Sequence, residues 1–431
     1  INNLRPYAYL NNTFQPIPYQ VDEYSDKGDF VYTEGKEANP GDGNGLLNDV
    51  DELVLWSGDL GDQVSLEGRL SGYDIVQEIE VTDPLTENKG WCYLFHFPSN
   101  PPPGSTRDYT DYYPETDSYS GLPPYSGLQK LAFWNNQGRP TTIYNHYSFW
   151  KETGGNEKNV IDHLVLRFGV RFLWGKIKLT FDERKLVGET LAYKYGTVRE
   201  VRMQEFYMLL PLGLKSPTIK GPCFGYASYA RCPIIFNIPI NPKYIITNIS
   251  LMLGHDLSPD GKGMAFYNSY NTQGFLCDGK MSNEEKAFNS APDEWRFWTG
   301  PSGTLGLGLF WDPGLKRQVQ DRTTVYLDDE DNHEYDLDSV PEGNRPVYPG
   351  QICGYYQTSV LGDLKTGKYV MYFVEYWPPN FDISQAEEYM NIHEKPLRFK
   401  IGDMEGKSLN SMPVSWKIVE EWEKTYKKSF R

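Results

Sequence analysis

Asp42, Asn44, Asn48, Asp51 and Glu52 fall within one short stretch, DGNGLLNDVDE, with Gly43 and Gly45 between them. Calcium takes about six to eight oxygen ligands, and a short loop wraps one ion only where carboxylates and amides alternate with residues that turn sharply. The spacing therefore points to a calcium-ordered loop leading into a strand at ELVLW. The full EF-hand pattern is not met, because its third acidic position falls on Leu46 or is absent. The alternative is an acidic, glycine-rich turn with no ion. A second acidic run, DDEDNHEYDLD at 328–338, has no basic residue and reads as a solvated loop.

Aromatic rings that lie against the apolar face of a sugar, aided by Asn, Asp and Arg hydrogen bonds, are the usual means of holding carbohydrate. With 32 Tyr and 11 Trp the chain has ample material. In the strands these rings are core fillers. Tyr109, Tyr112, Tyr113, Tyr119 and Tyr125 lie instead in a stretch, 99–127, rich in Pro, Ser and Gly and poor in aliphatic side chains. They are the candidate contact surface, because long loops in compact proteins tend to carry function.

Signals for catalysis are weaker. There is no G-x-S-x-G elbow, H-E-x-x-H helix or phosphate loop. Carboxylate neighbours Asp182 with Glu183, or Asp293 with Glu294, could serve glycoside hydrolysis if their spatial separation allowed it. A lyase would need a Tyr and a His in mutual reach, from His146 with Tyr147, or from His96, His163 or His255 with a distant Tyr. Five cysteines and six histidines show neither zinc-ligand nor haem-attachment spacing, so neither haem nor a nucleotide cofactor is expected. CFGYASYARC has a hairpin's length and glycine content, which makes Cys223 with Cys232 the first candidate disulfide; buried free thiols are the alternative.

These groups must be positioned mostly by strands. The runs YDIVQEIEVT, VIDHLVLRFGVRFLWGKIKLTF and VREVRMQEFYMLLPLGL alternate polar with apolar side chains, while GWCYLFHFP, GTLGLGLFW, RTTVYL, GQICGYYQTSV and GKYVMYFVEYW are apolar, β-branched or aromatic. An N-terminal strand fits YAYLNNTFQPIPYQ, and 40 Gly and 30 Pro imply many turns. Residues 255–300 read as a second long loop with one helical turn in MSNEEKAFNSA, capped by Ser282. The tail, VSWKIVEEWEKTYKKSFR, has the apolar spacing of an amphipathic helix. The expected fold is mostly β: a large antiparallel β-sandwich, or two, with long loops and a short C-terminal helix. Residues 1–130 form an N-terminal region and 131–431 the main sandwich, or both make one domain.

A net charge of −16 disfavours nucleic acid and anionic membrane as partners. No window is apolar enough for a transmembrane helix. The chain begins at Ile1 without a leader, the pattern of a processed, exported protein. IPYQVDEYSDKGDF followed by DGNGLLNDVDELVLWSGDLGD resembles the start of uncharacterised secreted bacterial β-proteins, in which a Q-V-D segment precedes an acidic glycine loop and a D-E-L-V strand. YGTVREVRMQEFYMLLPLGLKSP is similar to a later segment of the same proteins. The resemblance implies export and β-architecture and transfers no catalytic residue. The function expected is therefore that of a secreted or cell-surface, calcium-stabilised, non-catalytic protein that binds glycan or other copies of itself. The N-terminal segment 1–20 and the 99–127 loop are the candidate assembly surfaces. The rival is a glycan-active lyase or hydrolase with an aromatic-lined cleft.

Overall fold

The computed structural model describes residues 1–404 apart from 66–69, 136–141, 173–175, 182–184, 211–212, 217, 239–245, 294, 312–315, 317–319, 332–350 and 362–365. The tail helix expected at 414–431 and the Asp182 and Glu183 pair lie outside the described residues, as does Glu294. The fold is mostly antiparallel β and sandwich-like, as the alternation of side chains implies. Contacts divide the chain into two units: residues 1–109, 192–200 and 388–431, and residues 110–191 and 201–387.

The first unit is built on a five-stranded sheet in the order Thr13–Pro16, Leu4–Leu10, Lys89–His96, Ile75–Thr82 and Arg398–Met404. Period-two alternation gives this sheet two apolar faces. On one, Ala8, Ile17, Ile79, Val81, Cys92 and Leu94 pack under Leu47, Leu53, Leu55 and Leu60. On the other, Tyr7, Val76, Tyr93, Phe95 and Phe97 pack with Phe14 and Tyr73. The acidic segment thus has a structural task written into its leucines: it lids one face of the sheet. Within it Glu52–Val54 pairs antiparallel with Gln20–Asp22.

In the second unit a five-stranded sheet, ordered Ile177–Phe181, Ile161–Phe172, Ile246–Leu257, Gln351–Leu361 and Gln320–Asp329, faces a larger one. The larger sheet runs from Asn271–Leu276 through Ala265–Asn268, Trp295–Gly300, Gly303–Trp311, Gly367–Tyr376, Tyr229–Ile238 and Ile219–Tyr226 to Arg199–Met208 and Leu186–Tyr195. Leu164 and Leu253 from the first meet Leu307, Leu309, Met371 and Phe373 from the second in one buried cluster. A four-stranded sheet, Thr142–Phe149, Leu128–Asn135, Ser118–Gly121 and Thr110–Tyr113, completes the unit.

Two loop expectations are corrected. The stretch 99–127 contains the strands Thr110–Tyr113 and Ser118–Gly121, paired with each other. The stretch 255–300 contains three strands beside its helical turn, Asn283–Lys286. Short strands with Ser, Asn and Gly carry little periodicity, and tertiary pairing overrides their weak propensity. The turn itself forms as expected: Ser282 accepts from the Glu285 N–H, and the Glu285 carboxylate accepts from the Ser282 N–H. A nine-residue helix, Ala386–Glu394, precedes the last described strand.

Candidate functional site

In the acidic loop Asn44, Asn48 and Asp51 turn their side-chain oxygens onto backbone N–H groups, while Asp42 and Glu52 meet other side chains. Asn44 and Asn48 each accept from the N–H two residues on, Leu46 at 2.8 Å and Val50 at 2.9 Å. These are turns that Asn forms in peptides without any ion. The Asp51 carboxylate is buried and accepts from Tyr24 N–H at 2.8 Å and Asn48 N–H at 2.9 Å. Burial, aided by the nearby Glu23 charge, raises its pKa against those two donors. Asp42, exposed, accepts from the Asn39 amide at 3.2 Å. Glu23, outside the expected set, accepts from Asn44 N–H at 2.9 Å and Gly45 N–H at 2.7 Å. Among the described residues no three His, Cys, Asp or Glu side chains are placed to share a metal ion. An oxygen set for calcium would have to draw on amides and backbone carbonyls as well.

Glu52 points elsewhere, to the Arg199 guanidinium. Arg199 also binds Asp22, at 2.8 Å from Nε, and Lys194 reaches Asp22 at 3.0 Å. Asp22 is fully buried; burial opposes its charge, and Arg199 and Lys194 outweigh that, holding its carboxyl below the usual range. Gln20 completes the set, donating to Asp22 at 2.8 Å and accepting from the Arg199 N–H at 3.1 Å. A Cβ at Gly196 would sit 2.3 Å from the Gln20 amide oxygen, so the hairpin carrying both cations requires glycine there. This closed network is a clamp on the fold.

Of the five candidate tyrosines, Tyr109, Tyr112 and Tyr119 are buried, a correction to the expected contact surface. Each hydroxyl is engaged: Tyr112 with Asp117 at 2.9 Å, Tyr119 with the Tyr226 carbonyl, Tyr109 with Asp59. The pairing of Thr110–Tyr113 with Ser118–Gly121 sets Tyr112 opposite Tyr119 on the buried face, which composition could not reveal. Tyr113 is 43% exposed, and Tyr125 is half-buried.

Tyr109 nonetheless leads to the most site-like constellation in the first unit. Its ring lies 4.8 Å from that of Trp56, and its hydroxyl donates to Asp59, which is 3% exposed. Arg107 donates to the other Asp59 oxygen at 2.5 Å while its side chain stays 42% exposed. Burial raises the Asp59 pKa, the Tyr109 and Arg107 hydrogen bonds opposing it; burial and then Asp59 raise the Tyr109 phenol. The segment is held against the sheet by Arg5, which donates to the Pro102 carbonyl at 2.7 Å. The result is a guanidinium fixed at the surface and a half-buried indole, both packed on Tyr109. Sequence reading missed Trp56, Asp59 and Arg107, because Asp59 and Arg107 are 48 positions apart and no spacing rule links them.

The catalytic candidates are distributed differently. His146 and Tyr147 are consecutive in one strand, so their side chains leave it on opposite faces and cannot share a site. Burial, with Lys130 adding to it, lowers the His146 pKa to about 4, leaving a neutral imidazole. His96 contacts Asp74 at 2.6 Å on the surface. Asp293 is buried against Arg296 at 3.1 Å and Asn268 at 3.0 Å. His255 meets a distant tyrosine, Tyr147, edge-on at 6.1 Å, and shares a hydrogen bond with Glu375 at 2.8 Å. His255 and Tyr147 both have zero exposure. No protein-family model matches the chain, and no curated protein matches it either.

Proposed function

We propose that the chain is a secreted or cell-surface, non-catalytic β-protein that binds neutral glycan at the Trp56–Asp59–Arg107–Tyr109 constellation, with calcium supporting the neighbouring acidic loop. The observation that carries the reading is the Arg107 guanidinium, half in water yet held by a buried carboxylate. Its order is established before any ligand arrives, so binding forfeits little side-chain entropy. Trp56, against the same Tyr109, supplies the indole that a pyranose face needs. The charge of −16 disfavours polyanionic polymers and leaves neutral polysaccharide as the matching class.

Two observations weigh against the other readings. Tyr147, His255 and Glu375 make a Tyr/His/carboxylate set of the kind a lyase uses, but all three are buried, where a polymer does not reach them. Self-assembly by strand pairing meets a guard at four of the sheet edges. Thr13–Pro16 ends in proline, and Arg398–Met404 carries Arg398 and Lys400. Asn271–Leu276 is bent by Gly274 at φ +76°, and Thr110–Tyr113 is four residues long. Such devices discourage edge-to-edge association.

Affinity electrophoresis against a panel of neutral polysaccharides tests the reading. Arg107→Ala and Trp56→Ala should each weaken retardation about tenfold or more, on the scale of a lost charged hydrogen bond. Retardation unchanged in both variants, with native circular dichroism, would remove the site. Release of reducing ends or unsaturated products from any polymer would move the protein to the enzyme class.

A further inference from the structure

The hairpin of Ile219–Tyr226 and Tyr229–Ile238 sets Phe224 opposite Arg231 and Gly225 opposite Ala230. One step further along that register, Cys223 stands opposite Cys232. Directly opposed residues of an antiparallel pair have Cα atoms about 4.5–5.5 Å apart, inside the window of about 4.4–6.8 Å that disulfides span. Cys223 is buried, Cys232 is half-buried, and both are thiols in this structure. A side-chain hydrogen bond with Cys223, followed by burial, raises the Cys232 thiol well above its ordinary value. Cys223 also donates to the Gln204 side-chain amide oxygen at 3.1 Å. Elsewhere among the described residues cysteines lie singly, Cys92 in the first unit's core and Cys277 beside Tyr326.

We infer that Cys223 and Cys232 are an oxidisable pair that closes to a cross-strand disulfide by exchange with a small disulfide such as oxidised glutathione. The more accessible Cys232 thiolate attacks one glutathione sulfur, forming a mixed disulfide and releasing one glutathione. Cys223 then attacks the Cys232 sulfur and releases the second. One S–S bond is consumed and one is formed; the two thiol protons end on the two released glutathiones. The raised Cys232 pKa makes the first attack slow at neutral pH and faster in mild alkali, since the thiolate is the nucleophile. The bond would tie the hairpin whose second strand lies beside Gly367–Tyr376, in the middle of the large sheet. The inference is independent of the glycan reading, because its test involves no ligand.

The test is thiol titration in denaturant after incubation of the full chain with oxidised glutathione at pH 8.5, followed by peptide mapping without reduction. Three free thiols of the five, with 223 and 232 in one linked peptide, are expected. Cys223→Ser and Cys232→Ser should each fail to form the intramolecular bond. Five free thiols after oxidation, a glutathione adduct that never resolves, or a bond mapped to other cysteines would each overturn the inference. Mapping uses the wild-type chain, so a variant that folds poorly does not blunt the result.

Discussion

Asp22 shows how much one side chain can hold. It sits at zero exposure with Arg199 and Lys194 on its oxygens, and those cations arrive from a hairpin more than 170 positions away. Asp22→Asn removes the charge and leaves two cations facing an amide. Breaking a buried pair in this way costs about 3–5 kcal/mol, so urea unfolding should show a loss of that order. The pH dependence has a definite sign. Because the folded pKa lies below the unfolded value, the contribution is present above about pH 4 and is lost as pH falls through the folded pKa. The wild-type chain should lose stability in that acid window, and the variant should lose less. Little of this was legible beforehand: VREVRM reads as an alternating strand, and no local rule matches its arginine to an aspartate in QVD. The loop turns at Asn44 and Asn48 could be read because they are local, two residues from donor to acceptor.

At the scale of elements, the end of the sandwich around Asn283–Lys286 separates what sequence encodes locally from what it does not. Ser282 with Glu285 is a capping box visible in the letters. Glu285 goes further and accepts from the buried Tyr326 hydroxyl at 3.0 Å, tying the turn to the strand Gln320–Asp329. Asp328, the first residue of the acidic run taken for a solvated loop, has zero exposure and accepts from Asp278 N–H at 2.7 Å and Gly279 N–H at 2.8 Å. Charge density alone suggested solvent; a carboxylate that satisfies two buried amides is the stronger demand. His333 and the rest of that run lie outside the described residues. Burial raises the Asp328 pKa to about 6. Its folded form binds a proton more tightly than the unfolded chain, so stability from this group falls as pH rises from about 4 to about 6, by up to roughly 3 kcal/mol. Asp328→Asn should lower stability overall, because one amide oxygen cannot serve both N–H groups, and should flatten that part of the profile. Urea midpoints at pH 4, 5, 6 and 7 read both effects.

Over the whole molecule, side-chain alternation made the mostly antiparallel fold readable, since period two is the property that a sheet imposes on every strand. It could not reveal the division into units, because the hairpin 192–200 joins the first unit only through contacts distant in sequence. Among the described residues no helix is long and apolar enough to cross a membrane. Guarded edges and a strong negative charge together predict a monodisperse particle near 50 kDa by light scattering, with calcium or with chelator. Ordered polymers that dissolve on chelation would restore assembly as the leading role. The calcium part of the reading needs a probe that does not damage the loop. Asp51→Asn disturbs two backbone bonds and should lower the melting temperature with or without the ion. Asp42→Asn gives up one exposed contact, so its melting temperature should fall below wild type in calcium and match it in chelator. An equal deficit in both would make the loop purely structural.

The hairpin that delivers Arg199 and Lys194 also sets a timetable. A ribosome that has made residues 1–109 has made most of the first unit's sheet but neither cation for Asp22, and at about 5–20 residues per second the wait for residue 200 lasts roughly 5–20 s. The edge strand Arg398–Met404, which pairs with Ile75–Thr82, is made more than 300 positions after its partner. The first unit is therefore completed only after residues of the second have been made, and a fragment cut at residue 109 is an incomplete object. During that interval Asp22 lacks both of its cations and the Ile75–Thr82 strand lacks its edge partner.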